Sequence, residues 1–315
     1  TEHHYMTWDR QSDRMAITRG ADAVAQLLEL ATVTADRPMV IFDEVHKYSK
    51  WKAFLKGFFD VYGEQARIIV TGSARLGVFR RGGDSLMGRY FLYRMHPLSV
   101  AELARTERVE TDIRPPVETS PETLTQLLAV GGFPEPFTRN STRFNNRWRR
   151  LRAEQLFRED LRDLTHIHEV GQVEVLAELL ATRVGQLTGY SSLATAANIA
   201  VDTVRRWIAT LESLFYCYRV RPWFRNVPKS LRKQPKVYLW DWSLVADEGA
   251  RRENLVASHL LKAVHGWTDL GLGDYDLFYL RDKTKREVDF LVARNGKPWF
   301  LVEVKSAAKR DLNPN

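Results

Sequence analysis

Cysteine is almost missing from this sequence, which contains only Cys217 among its 315 residues. A single cysteine cannot form an internal disulfide, so we expect a reducing, intracellular environment. Cys217 lies in the apolar run LESLFYCYRV. In such a run a cysteine serves more often as a small buried hydrophobic side chain than as a reactive thiol.

Long hydrophobic runs are absent as well. No apolar stretch approaches the roughly 20 residues that span a bilayer, and the first residues, TEHHYMTWDR, have none of the character of a signal peptide. We therefore expect a soluble, cytoplasmic protein with no membrane partner. At 315 residues the chain is longer than one ordinary core requires, which suggests two or three domains.

Acidic residues are outnumbered by basic ones. The chain has 39 Asp and Glu against 47 Lys and Arg, a formal charge of +8, and its isoelectric point is near 9.5. This balance favours an acidic partner such as nucleic acid or phosphate. The charges alternate in sign in NRWRRLRAEQLFREDLRDL, where we expect i,i+4 ion pairs on a solvated helix.

Helix and strand patterns alternate in the first third of the chain. Apolar periodicity predicts helices at 21–34 and 50–62 and strands at 39–42 and 67–71. This alternation is typical of a parallel α/β sheet.

Two adjacent carboxylates, Asp43 and Glu44, follow the apolar strand in RPMVIFDEVHKYSKW. At the carboxyl end of a parallel strand, where ligands bind in open α/β sheets, both can reach one site as the chain leaves the sheet. In phosphate-hydrolysing P-loop domains the first carboxylate holds Mg²⁺ and the second polarises the attacking water. The alternative is that Asp43 caps the following segment and Glu44 is solvated.

Further polar groups that suit such a site occur downstream. The next predicted strand ends in Thr71-Gly72-Ser73, where the Ser73 hydroxyl would orient the water that faces a γ-phosphate. Arg89, in DSLMGRYFLYRMHPLSVAEL, would stabilise charge as an arginine finger, and a finger acting in trans implies a homo-oligomer. The alternatives are a turn hydroxyl for Ser73 and a surface ion pair for Arg89.

The middle of the chain has a nucleic-acid-binding pattern. The segment SLATAANIAVDTVRRWIATLESLFYCYRVRPW has the organisation of a helix-turn-helix with a following wing, with Asp202 as the N-cap of the second helix. In the DNA-binding interpretation Arg205 and Arg206 contact phosphates or base edges. In the alternative interpretation the helices form a packing module with a solvated basic face.

Strands return near the C-terminus in REVDFLVARNGKPWFLVEVKS, with a predicted hairpin turn at Asn295-Gly296. The hairpin places Asp289 on one strand and Glu303-x-Lys305 on the next. This is the D…E-x-K arrangement of the restriction-endonuclease-like fold, in which the carboxylates bind Mg²⁺ and the lysine positions or deprotonates the attacking water. Glu253, on the preceding predicted helix, would add a further metal ligand. The alternative is a cross-strand ion pair of Glu303 with Lys305 or Arg286.

The order of several short segments is more specific than any one of them. They are YMTWDRQSDR, VIFDEVHKYSKW, IIVTGSARL, DSLMGRYFLYRMHPLSVAEL, GGFPEP, REVDFLV and LVEVK. Together they resemble the prokaryotic AAA-type ATPases that carry a C-terminal domain of unknown function, DUF4143. The resemblance implies ATP and Mg²⁺ as cofactors, Asp43 and Glu44 as the Walker B pair, Ser73 at the sensor-1 position and Arg89 as a finger or sensor arginine.

The resemblance also implies an α/β multidomain architecture. We expect a P-loop, AAA-type parallel sheet core at 1–112, a helical and winged-helix region at 122–225 and a restriction-endonuclease-like α/β domain of the DUF4143 family at 236–315. The predicted function is ATP binding and hydrolysis coupled to a winged-helix and nuclease-like domain that acts on nucleic acid, with DNA as the favoured partner. The alternative is a non-catalytic regulator or scaffold that keeps both folds in order to bind a protein partner.

One expected motif is missing, because nothing in the sequence matches G-x-x-x-x-G-K-[ST]. That loop supplies the backbone amides and the lysine that hold the phosphates, so the sequence as written should not bind ATP tightly. We expect the loop to precede Thr1, since HHYMTWD has the pattern of the strand that follows it. The competing explanation is a degenerate ATPase.

Overall fold

The computed structural model describes residues 3–30, 37–72, 86, 88–105, 107, 111–161, 167, 169–224, 234–282, 284 and 286–305. The chain divides into an N-terminal unit, Thr1–Phe91, and a C-terminal unit, Leu92–Asn315. No helix within the described ranges is both long and apolar enough to cross a membrane.

The N-terminal unit is a three-stranded parallel sheet with helices packed on it. In chain order its elements are β1 (His3–Thr7), α1 (Gln11–Arg19), α2 (Ala21–Leu27), β2 (Met39–Asp43), a 3₁₀ turn (Val45–Lys47), α3 (Trp51–Tyr62) and β3 (Arg67–Thr71). The central strand β2 buries Val40 and Phe42 completely. Helix α3 packs Phe54 and Phe58 edge-on against Phe42, with ring centroids 5.4 and 5.1 Å apart.

The predicted elements of this unit are largely confirmed. Strands β2 and β3 and helix α3 lie within a residue or so of their predicted bounds. The helix predicted at 21–34 ends at Leu27, and Glu29 then adopts a left-handed conformation with φ of 54°. Helix α1 was not predicted, because it buries only Asp13 and Ile17 and therefore lacks a broad apolar stripe.

The C-terminal unit combines a helical first half with a five-stranded mixed sheet of order β5-β4-β6-β7-β8. Its helices are α4 (Val100–Ala104), α5 (Pro121–Val130), α6 (Pro134–Arg139), α7 (Thr142–Glu154) with a π-helical continuation (Gln155–Asp160), α8 (Val170–Ala181), α9 (Tyr190–Ala197), α10 (Val201–Ser213) and α11 (Glu248–Asp269), besides a 3₁₀ turn (Trp242–Leu244). Its strands are β4 (Cys217–Pro222), β5 (Lys236–Leu239), β6 (Tyr275–Arg281), β7 (Glu287–Arg294) and β8 (Lys297–Val302).

The predicted helix-turn-helix region contains two helices, α9 and α10, followed by the antiparallel pair β4 and β5. The predicted N-cap is wrong: Ala200 occupies the cap position, and Asp202 lies in the first turn of α10. An acidic residue there still interacts favourably with the helix dipole. Cys217 is fully buried, as predicted, and burial raises the pKa of its thiol well above the usual value.

The arginines of α7 differ from the expected ion-paired pattern. Arg150 pairs with Glu154 at 3.4 Å, whereas Arg152 stacks over the ring of Phe133 at 3.9 Å. In the part of the chain that the structure describes, no acidic side chain forms an ion pair with the exposed Arg143 or Arg147. The alternating charges therefore predicted more ion pairs than these arginines form. Arg143 and Arg147 face solvent, and Arg152 stacks on an aromatic ring.

Two partly buried histidines join the segment before α4 to helix α11. His96 Nε2 lies 2.9 Å from His265 Nδ1, and the His96 ring packs against Trp240 with centroids 4.7 Å apart. Burial lowers the pKa of His96 from 6.5 to about 3 and that of His265 to about 4. The charged neighbours of the pair are Arg94, Lys262 and Asp269.

Acid should destabilise the C-terminal unit through this pair. Because both folded-state pKa values lie below the unfolded value of 6.5, the unfolded chain binds more protons as the pH falls, so stability is fully present above pH 6.5 and is lost below it. We expect urea unfolding followed by tryptophan fluorescence to show a loss of about 2 kcal/mol per pH unit between pH 6 and 5, because both histidines bind a proton in the unfolded chain. His265→Gln should flatten this dependence, and an unchanged slope would contradict the assignment.

Candidate nucleotide site and C-terminal carboxylate cluster

Three strand ends meet at the carboxyl edge of the N-terminal sheet. The register pairs Thr7 with Asp43 and Asp43 with Thr71, so β1, β2 and β3 end at one level. Glu44 leaves the strand in a left-handed conformation, with φ of 54° and ψ of 18°, and its backbone amide donates to Thr71 O at 3.1 Å. This conformation is uncommon for a residue with a β-carbon. It sharply redirects the chain as it leaves the sheet beside Asp43.

Asp43 is held by two hydroxyl groups from the flanking strands. Tyr5 donates its hydroxyl hydrogen to Asp43 Oδ2 at 2.6 Å, and the Thr71 hydroxyl donates to Oδ1. Burial alone would raise the pKa of Asp43, but these hydrogen bonds outweigh it and hold the pKa below its usual value. Asp43 is therefore a carboxylate at neutral pH, with hydroxyl oxygens beside it. Hard oxygen donors of this kind suit Mg²⁺.

Glu44 is positioned by a lysine that the sequence did not single out. Lys47 Nζ lies 3.2 Å from Glu44 Oε2 and 2.8 Å from Asp9 Oδ1. His46 Nε2 lies 3.8 Å from the same Glu44 oxygen. The i,i+3 spacing of Glu44 and Lys47 was the only sequence signal for this contact, and it depends on the turn that follows β2.

The other two predicted residues of this site are not brought to it by the described structure. Ser73 lies outside the described residues. Arg89 forms a two-point contact with Asp60 of α3, with nitrogen–oxygen distances of 2.7 and 3.2 Å. Hydrogen bonding to Arg89 lowers the pKa of Asp60. The ion pair corresponds to the second interpretation of Arg89, while its role as a finger stays a prediction.

The second group of predicted residues comes together in the C-terminal unit. The register of β7 and β8 pairs Phe290 with Val302, which places Asp289 opposite Glu303. The backbone amide of Val304 donates to Asp289 Oδ2 at 2.8 Å, and Lys305 Nζ lies 2.5 Å from Glu303 Oε1. The predicted turn at Asn295-Gly296 is confirmed, with φ of 51° and 73°. Strand β8 ends at Val302, so Glu303 and Lys305 follow the strand rather than lying within it.

Glu253 of α11 points toward the same region from the helix. Tyr238 of β5 donates its hydroxyl hydrogen to Glu253 Oε1 at 2.7 Å. Burial raises the pKa of Glu253 and also that of Asp289. Both groups are therefore easier to protonate than ordinary surface carboxylates.

Sequence reasoning missed two members of this cluster, Lys236 and Glu287. Lys236 Nζ lies 2.6 Å from Glu287 Oε1, 3.5 Å from Glu253 Oε1 and 3.8 Å from Asp289 Oδ1. Although burial alone would lower the pKa of Lys236, attraction to the carboxylates raises it. The available signal was the period of two in Glu287 and Asp289, which puts both on one face of β7. We use the name carboxylate cluster for a group of six residues: Lys236, Glu253, Glu287, Asp289, Glu303 and Lys305.

The geometry only partly fits the predicted metal site. Among the residues that the structure describes, no three His, Cys, Asp or Glu side chains are grouped so as to hold a metal ion. Asp289 and Glu303 lie opposite each other, but Glu253 and Asp289 are both close to the ammonium group of Lys236. A cation is already present where carboxylates converge, and it is supplied by the chain.

The predicted nucleic-acid-binding arginines lie on the exposed side of α10. The buried side of this helix carries Val204, Trp207, Ile208 and Leu211. Arg205 contacts Asp202 at 3.3 Å and lies 5.4 Å from the centroid of the Tyr190 ring. Arg206 is exposed next to it.

Comparison with known proteins divides the chain into matched regions. Residues 1–104 match the family described as an AAA domain, residues 121–250 match a domain of unknown function, DUF8612, and residues 248–313 match another, DUF4143. The chain is 24% identical over 268 residues to the uncharacterized proteins Rv2008c of Mycobacterium tuberculosis and Mb2031c of Mycobacterium bovis. The matched region covers 83% of this chain and 57% of each relative, so the chain spans little more than half the length of these curated relatives. No solved structure gives a significant match.

Both groups of predicted site residues lie within matched regions. The AAA-matched region contains β1, β2 and β3 with Asp43 and Glu44, and the DUF4143-matched region contains Glu253, Asp289 and Glu303. The DUF8612 match, at residues 121–250, covers most of the helical middle of the chain. The resemblance seen in the sequence named no family for this region. The chain therefore combines an N-terminal AAA-type domain with a C-terminal DUF4143 domain.

Proposed function

We propose that the N-terminal unit binds ATP with Mg²⁺ and hydrolyses it at the carboxyl edge of β1–β3. The observation that carries this proposal is the convergence of Asp43, Glu44 and Thr71 at the ends of adjacent parallel strands. Ligands bind at this edge in open α/β sheets. An AAA-family domain also suggests nucleotide binding.

Each residue has a distinct role in the proposal. Asp43, ionised and fixed by Tyr5 and Thr71, would hold Mg²⁺, which supplies charge stabilisation for the phosphates when it is bound. Glu44 would polarise the attacking water, and Lys47 would orient Glu44. Ser73 and Arg89 complete the set as the sensor and the charge-stabilising arginine, and the latter would act between subunits of a homo-oligomer.

The sheet has an open edge that suits a phosphate-binding segment. Among the described strands β3 pairs only with β2, and Ile69 on β3 is 40% exposed. An unpaired edge presents free backbone donors and acceptors, so a further strand can add to it. We propose that this edge is where a strand carrying a phosphate-binding loop pairs with the sheet.

The C-terminal unit is proposed to act on nucleic acid, in particular DNA. Arg205 and Arg206 are exposed on the second helix of a helix-turn-helix arrangement, with a net charge of +8 for the chain. In the restriction-endonuclease-like interpretation, Asp289 and Glu303 would hold Mg²⁺ with help from Glu253, and Lys305 would position a water for attack on a phosphodiester. The support is the cross-strand placement of Asp289 and Glu303 and the 2.5 Å contact of Lys305.

A second candidate function is that of a non-catalytic regulator or scaffold that binds a protein partner. Two observations favour it. The sequence contains no G-x-x-x-x-G-K-[ST] motif, and the ammonium group of Lys236 already neutralises part of the carboxylate cluster. Both nucleotide and metal chemistry would then be vestigial.

The Glu44→Gln variant separates these functions. Because it removes the water-polarising carboxylate and leaves Asp43 for Mg²⁺, MgATP affinity by calorimetry should stay within about twofold in a protein that carries the phosphate-binding loop. Phosphate release should fall roughly 100-fold or more. Glu64→Gln, a neutral amide in place of an exposed carboxylate of the same unit, should change neither value. Equal turnover in both variants would remove Glu44 from the mechanism, and no MgATP binding by the unmodified protein would favour the regulator.

The arginines of α10 give a second test. Arg205→Ala with Arg206→Ala should weaken binding to duplex DNA and lower the slope of log K against log salt by about 1 for each phosphate that the helix no longer neutralises. The control is Arg143→Ala with Arg147→Ala, which removes the same charge from exposed positions on another helix of the unit. We expect this control to leave the slope unchanged. A changed slope in the control alone would move the DNA-binding surface to α7, and no change in either would favour the packing module.

A further inference from the structure

Much of the positive charge of the chain is concentrated on one helix. Helix α7, with the sequence TRFNNRWRRLRAE, has five arginines and one glutamate, which gives this helix a net charge of +4 out of +8 for the whole chain. Two of the arginines are used inside the unit: Arg149 donates to Ala129 O at 3.2 Å, and Arg152 stacks over the Phe133 ring at 3.9 Å. The remaining three have no such role in packing.

The outer side of α7 is a stripe of arginines with an apolar side chain beside it. Arg143, Arg147 and Arg150 are exposed, and their spacing of four and three residues places them on one side of the helix. Leu151, four residues after Arg147, lies next to them and is 61% exposed. Arg150 has one acidic neighbour, Glu154, at 3.4 Å. We call Arg143, Arg147, Arg150 and Leu151 the arginine face.

Helix α8 has an outer side of the opposite charge. Its inner side is packed into the core by Val173, Leu176, Ala177 and Leu180. On the other side Glu178 is exposed, Glu174 is half-buried, and Val175 lies between them with 43% of its surface exposed. The helix contains no lysine or arginine. We call Glu174, Val175 and Glu178 the glutamate face.

The two faces do not neutralise each other within one chain. In the part of the chain that the structure describes, Arg143 and Arg147 form no ion pair with an acidic group, and Glu174 and Glu178 form none with a basic group. Each face nevertheless has what the other needs, because both combine charge of a single sign with an exposed aliphatic side chain. Protein interfaces have this organisation, with an apolar centre, a polar rim and an enrichment in arginine.

We propose that the arginine face of one copy of the chain binds the glutamate face of a second copy. Leu151 would pack against Val175, and the arginines would meet Glu174 and Glu178. Because every copy carries both faces, the contact forms twice in a two-fold dimer. Exposed ion pairs contribute little affinity, but they determine which surface meets which. The self-association is therefore weak, and salt weakens it further.

A second copy fits this surface better than nucleic acid does. Phosphates would satisfy the arginines, but they offer no apolar group to cover Leu151. The inference goes beyond the proposed function, since it needs neither nucleotide nor metal. It also supplies a contact for the homo-oligomer in which Arg89 is proposed to act.

Charge reversal on either face tests the contact in the full chain. Sedimentation velocity at low salt, over a series of concentrations, measures the dissociation constant of the dimer. Arg143→Glu with Arg147→Glu places glutamates against the glutamate face, and Glu174→Arg with Glu178→Arg places arginines against the arginine face. We expect each of these two variants to associate at least about tenfold more weakly than the unmodified protein, because like charges then face each other.

Mixing the two reversal variants is the decisive measurement. In a mixture the reversed α7 of one variant meets the reversed α8 of the other, and the two unmodified faces meet as well. We expect native mass spectrometry to show a dimer that contains one copy of each variant. A variant that had merely lost its fold would not recover in this way. Arg14→Glu with Arg19→Glu, which changes the net charge equally at exposed positions of α1, should associate as the unmodified protein does.

Three results would overturn the inference. They are an unmodified protein that stays monomeric at low salt over the whole concentration series, a dimer that neither reversal variant weakens, and a loss of association in both variants that mixing does not restore. If the unmodified protein is monomeric and Arg143→Glu with Arg147→Glu also loses binding to duplex DNA, α7 belongs to a nucleic-acid surface instead. Self-association is measured without nucleotide, metal or DNA, so its failure leaves the proposed chemistry to its own tests.

Discussion

Parallel, in-register pairing of β1, β2 and β3 is the constraint on which the N-terminal site depends. Because the three strands end at the same level, groups that are far apart in sequence, such as Tyr5, Asp43 and Thr71, meet at one edge. The aromatic packing of α3 on Phe42 holds the central strand in place. The left-handed turn at Glu44 then places a second carboxylate immediately beyond the strand.

The C-terminal unit depends on a balance of charge between carboxylates and lysines. Four carboxylates, those of Glu253, Glu287, Asp289 and Glu303, are drawn together by a strand pair and a helix, and their mutual repulsion must be balanced. Lys236 and Lys305 do so from within the chain. Breaking a buried pair of this kind is costly, since the group left behind remains charged and desolvated. The carboxylate cluster is consequently both a structural element of the unit and its candidate reactive centre.

Charge elsewhere in the same unit is arranged for contact with solvent. Arg205 and Arg206 lie outside the apolar face of α10 that packs into the core, and Arg143 and Arg147 are exposed on α7. Exposed arginines contribute little to stability. Such arginines are available to bind a ligand, and their planar guanidinium groups are well suited to phosphate.

The sequence by itself determined the elements and the separate halves of each site. Apolar runs and periodicity predicted β2, β3, α3 and the β7–β8 hairpin, because local hydrophobic patterning and turn chemistry act over a few residues. The same reasoning identified Asp43 with Glu44, and Asp289 with Glu303 and Lys305, from short-range spacing. The cap of α10 and the pairing of the α7 arginines were not predictable in this way. Whether an arginine side chain faces solvent, an aromatic ring or a carboxylate depends on neighbours distant in sequence.

Lys236 is the clearest case: in KVYLWD it is only the first residue of an apolar strand. Its three carboxylate partners lie 17 or more residues away along the chain, and only tertiary packing, which removes its charge from water, could decide that it would be paired with them.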